Sequence, residues 1–130
     1  MEQATIEPID LSRSHVFRLA DLPAHKNPNG SQSWNVVHGR LPTGEQIALH
    51  VSMQPAGTVP NPAHSIEHSE VICLREGALD FQHDSVAERT TAGDVFFVAK
   101  GTMHSVRNVA AGPTMYFVLA IGGDVNQQTK

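Results

Sequence analysis

Gln46-Ile47-Ala48-Leu49-His50-Val51-Ser52-Met53 alternates without a break. Ile47, Leu49, Val51 and Met53 fall on one side, and Gln46, Ala48, His50 and Ser52 on the other. A period of two over eight residues predicts a β-strand and not a helix. Upstream, residues 34–38 read as a shorter strand, ended by Gly39 and the Leu41-Pro42-Thr43-Gly44 turn. Downstream, residues 54–62 hold Pro55, Pro60 and Pro62, whose missing N–H groups bar that stretch from a central ladder. Further strands are predicted at 70–74, 78–82, 85–91, 95–98, 103–106 and 115–121. Only residues 11–22 carry a helical pattern, and a weak one. Short strands at this spacing, with Gly and Pro between them, predict an all-β sandwich or barrel of about eight or nine antiparallel strands.

The chain has 130 residues, the size of one domain. Residues 1–33 are expected to form an N-terminal arm and edge segments, 34–121 the barrel and 122–130 a tail. Nine basic against thirteen acidic side chains, net −4, argue against a nucleic-acid partner or a polybasic membrane patch. No apolar run reaches the roughly 18 residues of a membrane span. The start, Met1-Glu2-Gln3-Ala4, is acidic and shows no secretory leader, so the cytoplasm is the default expectation. The single cysteine, Cys73, permits no internal disulfide, and its apolar neighbours Ile72 and Leu74 predict a buried thiol. The eight histidines nearly equal the nine lysines and arginines, so chemistry is sought among them.

The densest polar stretch is His64-Ser65-Ile66-Glu67-His68-Ser69-Glu70. In extended chain His64, Ile66, His68 and Glu70 share one face. Two imidazoles and a carboxylate there suit a borderline divalent transition metal (Fe, Mn, Ni, Cu or Zn) better than Ca or Mg. A second segment, Gly93 to Asn108, reads as strand, tight turn and strand, with His104 just after the turn.

Together the two segments resemble the paired motifs of the cupins, small antiparallel jelly-roll barrels. Gly57, His64, Glu70 and Gly77 match the first motif. Gly93, Gly101, His104 and Asn108 match the second, with Ala99 where Pro is usual. The resemblance implies a small single-domain cupin, typically a homodimer, that holds one mononuclear divalent metal in the barrel through His64, Glu70 and His104. Ile66 stands where the family places a further histidine. Three readings stay open: a three-ligand site with free coordination positions; His68 swinging in as a replacement ligand; and a decayed site in a non-catalytic small-molecule binder. The first implies a small-molecule metalloenzyme, dioxygenase-like or a related oxidoreductase. An isomerase or lyase is the alternative. His68 is then expected to orient a ligand or to take a proton as a catalytic group.

Elsewhere, parity leaves His50 pointing into a pocket or to solvent. His15, His25, His38 and His83 are expected at the surface. Phe96, Phe97, Met103, Tyr116 and Phe117 are expected mostly in the core. Arg107 and Lys100 flank the second motif and are read as solvated charges.

Overall fold

The computed structural model describes residues 9–123 and 125. The parts of the predicted arm and tail at 1–8, 124 and 126–130 lie outside the described residues. Among the described residues nine strands follow one another: β1 (His25–Lys26), β2 (Gln32–Arg40), β3 (Gln46–Gln54), β4 (Ser69–Glu76), β5 (Ala78–His83), β6 (Val86–Thr91), β7 (Val95–Val98), β8 (His104–Asn108) and β9 (Thr114–Ile121). They form a six-stranded sheet, ordered β1-β2-β3-β9-β4-β7, and a three-stranded sheet, ordered β6-β5-β8. All pairings are antiparallel, and the architecture is a jelly roll. Among the described residues no helix is long and apolar enough to cross a membrane.

Each strand predicted from the sequence is present, several of them longer by one or two residues at an end and two of them starting one residue later. The helical pattern at 11–22 yields only a 3-10 turn, Leu19–Asp21. Pro23 explains the stop, because its ring drives Leu22 to extended geometry (ψ 141°). Strand structure begins earlier than the predicted barrel, at His25.

Register decides which face is inside. Glu70, Ile72 and Leu74 pair across β9 with Ala120, Val118 and Tyr116, which pair across β3 with Ala48, His50 and Ser52. The core packs on this face: Ile72, Leu74, Val98, Tyr116 and Val118 meet Leu79 and Phe81 of the small sheet, with Ile66 beside them. The polar row of β3 therefore lines the barrel, and the apolar row (Ile47, Leu49, Val51, Met53) faces outward with Phe117, Cys73 and Val95. Two sequence expectations are corrected by this parity. Cys73 is exposed, not buried, because it alternates with Ile72 and Leu74. Phe97 (59% exposed) lies on the outer face and Met103 (58%) on a loop, so neither is core.

One end of the barrel is tied by a buried side-chain network. Asn108 Nδ2 donates to the carbonyls of Gln54 (2.9 Å), Pro55 (3.0 Å) and Gly112 (3.0 Å), while its Oδ1 accepts from Ala110 N–H and Thr114 Oγ1. Gln54 Nε2 donates to Tyr116 Oη at 3.0 Å, and Thr114 Oγ1 accepts from Ala78 N–H at 3.1 Å. Four polar side chains thus join β3, β5, β8 and β9 with partners for most of their polar atoms. Satisfied buried networks of this kind hold strands in one arrangement.

Candidate functional site

Glu70 is buried at the start of β4, on the inner face, with side chains on both of its oxygens. His68 Nε2–H donates to Oε2 at 2.9 Å, and His104 Nε2 lies 4.0 Å from Oε1. His68 and His104 are both buried. His104 opens β8, and its Nδ1–H donates to the Thr102 carbonyl at 2.9 Å. A neutral His104 held this way carries its lone pair on Nε2, the atom that faces Glu70.

His64 is placed differently from the sequence expectation. Residues 61–68 are not a strand, and only an isolated bridge joins His64 to His104, through N–H···O bonds of 3.0 and 2.9 Å. Strand parity therefore does not hold across the segment: His64 is exposed, whereas Ile66, His68 and Glu70 are buried. The two imidazoles nevertheless meet, with ring centroids 4.7 Å apart. His64 Nδ1–H donates to the Pro62 carbonyl at 3.3 Å, which leaves its Nε2 unprotonated in the neutral ring. Ile66, in the place of the absent histidine, packs in the core, and its carbonyl accepts from Gly101 N–H.

Two further side chains join this cluster: His50, whose direction strand parity left open, and Tyr116, expected in the core. His50 lies on the inner face of β3, where burial pushes its pKa down and the nearby Glu70 charge partly opposes the shift. Burial raises the Tyr116 pKa; hydrogen bonds from Gln54 and Ser52 work against that rise, and Glu70 adds to it. For His50 the signal in the sequence was the polar row of β3, once that row is known to face inward; Tyr116 lies beside that row on β9, paired with Ser52. His38, expected at the surface, is also on the inner face. It buries Nδ1 without a hydrogen-bond partner among the described residues.

Beside His104 an open pocket of about 460 Å³ runs to the tip of the β5–β6 hairpin, lined there by His83, Asp84, Ser85 and Val86. His83 is thus a pocket residue and not a plain surface one. Its Nδ1 and Nε2 meet Asp84 Oδ2 (2.9 Å) and Glu88 Oε2 (2.6 Å), and its ring stacks on Phe81 at 4.4 Å. These two carboxylates, Asp84 first, raise the His83 pKa above 6.5. The favourable coupling is present below 6.5 and fades as pH rises through the raised value. A proton NMR titration should accordingly place the His83 midpoint above 6.5, and Asp84→Asn should lower it more than Glu88→Gln. A midpoint at or below 6.5 would contradict the double ion pair.

The donor chemistry of His64, Glu70 and His104 suits a borderline divalent metal: two imidazole lone pairs and one carboxylate. As the side chains stand, no three His, Cys, Asp or Glu groups among the described residues lie close enough to hold an ion together. The fit is therefore one of donor type and tautomer.

Comparison with known proteins agrees with this architecture. The family description Cupin_2, a cupin domain, matches residues 49–121. No curated protein sequence matches. Among solved structures the chain is similar to an RmlC-like cupin from Shewanella frigidimarina, at 17% identity over 89% of this chain and 97% of that one, TM-score 0.73. A predicted oxalate decarboxylase from Thermotoga maritima is similar at 15% identity over 82% and 98%, TM-score 0.68. The DMSP lyase DddQ from Ruegeria pomeroyi shares 28% identity over 58% of this chain and 38% of its own, TM-score 0.53.

Proposed function

Because the chain belongs to the Cupin_2 family of cupin domains, we propose that it is a small-molecule metalloenzyme, with one divalent transition metal held by His64, Glu70 and His104. The observation that carries this reading is the pinned tautomer of His104: its Nδ1–H is committed to Thr102, and its Nε2 faces Glu70 inside the barrel. A bound metal would supply a Lewis acid for a substrate oxygen, or a place for dioxygen. Three protein donors leave coordination positions free, which favours dioxygenase-type chemistry.

The remaining roles belong to the chain itself. Through its hydrogen bond to Oε2, His68 fixes the carboxylate and leaves Oε1 turned toward His104. His50, kept neutral by burial, is able to accept a proton from a bound molecule on the inner face. This second feature favours an isomerase or lyase as the other reading, and the likeness to the lyase DddQ points the same way. Consumption of dioxygen with substrate separates the two. The reading also includes a homodimer. Its contact would be the outer face of the large sheet, where Val95 and Phe97 are 62% and 59% exposed beside Cys73 and Val71 without a charged side chain among them.

Elemental analysis tests the central claim. The purified protein should carry close to one metal per chain, and His104→Ala should lose it. A content far below one after reconstitution with Fe, Mn, Ni, Cu and Zn would remove the metalloenzyme reading.

A further inference from the structure

The pocket beside His104 has a charge pattern that the proposed chemistry does not require. Asp84 forms part of its lining and Glu88 stands behind His83; one imidazolium against two carboxylates leaves this cluster one charge negative, and a neutral His83 would leave it two. Both carboxylates are largely exposed (73% and 63% of the side chain), so their field reaches the opening. Among the described residues no lysine or arginine lines the pocket. Lys100 is turned to Glu67 at 3.9 Å, and Arg107 is exposed on β8. Deeper in, Glu70 adds a further carboxylate near His104.

The rim is also held in an unusual backbone. Asp84 (φ 48°) and Ser85 (φ 68°) both occupy the left-handed region, with His83 and Val86 closing a two-residue hairpin. Asn-Gly is the common solution for such a turn. With Asp at the first position the carboxylate reaches His83 at the pocket wall. Met103 and Val86, in the same lining, offer exposed apolar surface (58% and 50%).

From these features we infer that the pocket selects a small ligand without negative charge: an uncharged or cationic molecule, with an apolar body against Met103 and Val86 and a polar end directed to His104. The inference rests on the reading of the barrel as a small-molecule site and adds the substrate class. Anions are disfavoured before they reach the interior, by repulsion from a rim whose two carboxylates outnumber the single His83 imidazole between them.

Three probes of matched shape test it: benzoate, benzyl alcohol and benzylammonium, titrated against the full chain after dialysis with a chelator, so that no bound ion attracts benzoate. The Met103 methyl resonance is the readout. Benzyl alcohol and benzylammonium should shift it, and benzoate should bind about fivefold more weakly than the alcohol at low salt. Asp84→Asn with Glu88→Gln should close that gap. If the double variant does not fold, added salt on the native protein should narrow the gap instead. Benzoate binding as tightly as benzyl alcohol, or no shift of Met103 by any probe, would overturn the inference. Metal content is measured separately: a metal-free barrel with the expected probe order removes the metalloenzyme and leaves the pocket's selectivity standing. One metal per chain with no probe preference does the reverse.

Discussion

Gly77→Ala should destabilise the protein by about 3 kcal/mol or more, lowering the melting temperature by roughly 10 °C. Gly77 joins β4 to β5 at φ 91°, and a Cβ there would fall 2.1 Å from Thr114 Oγ1 and 2.8 Å from the Thr114 Cα. Backbone strain alone costs about 1–2 kcal/mol in the left-handed region. The remainder comes from Thr114, which cannot retreat: it is fully buried, accepts from Ala78 N–H and donates to Asn108 Oδ1. Gly57→Ala is the control, since Gly57 also has positive φ (75°) but nothing within 4 Å of the added atom. Thermal melts of the two variants should differ by the cost of the clash. Equal losses would mean that the Thr114 contact is not what excludes a side chain at 77.

Glu70→Ala should weaken metal binding at least tenfold more than His68→Ala. The carboxylate is the only anionic donor in the proposed set of His64, Glu70 and His104. His68 meets Oε2, the oxygen turned away from His104, so its removal frees the carboxylate to rotate without removing a donor. Losing such an orienting partner costs roughly 10–100-fold in affinity, and loss of the donor itself should exceed that. Competition titrations with a chromogenic chelator measure both. If His68→Ala abolishes binding and Glu70→Ala keeps it, the histidine is the ligand and the assignment reverses.

The strands were readable because a period of two survives any tertiary context, and Gln46–Gln54 (β3) shows it most plainly. Which side of β3 faces inward was not readable. Both faces of the large sheet carry apolar rows, and only pairing with β9 and β4 identifies the row of His50 and Ser52 as internal. That same ambiguity misplaced Cys73 and Phe97. The separation of His64 from the inner face has another origin: parity was carried back through residues 61–68, where the chain is irregular and no ladder sets side-chain direction. Glu70, six residues further on and inside β4, keeps the orientation read for it, on one face with Ile72 and Leu74. His83 could not be placed in a pocket from its neighbours in sequence, because the hairpin it stands on becomes a pocket wall only where Ala63, Met103, His104 and Ser105, some twenty residues away, close the other side.

Cys73, the only cysteine, is exposed in the middle of β4 on the outer face of the large sheet, between Phe117 and Val95. The chain therefore carries a native attachment point for a nitroxide on a rigid strand, remote from the barrel interior and free of competing thiols. In a homodimer through that face, two such labels would approach across the symmetry axis, and dipolar broadening of the spectrum would report the distance between them. Dilution with unlabelled protein would sharpen the lines of a dimer and leave those of a monomer as they were.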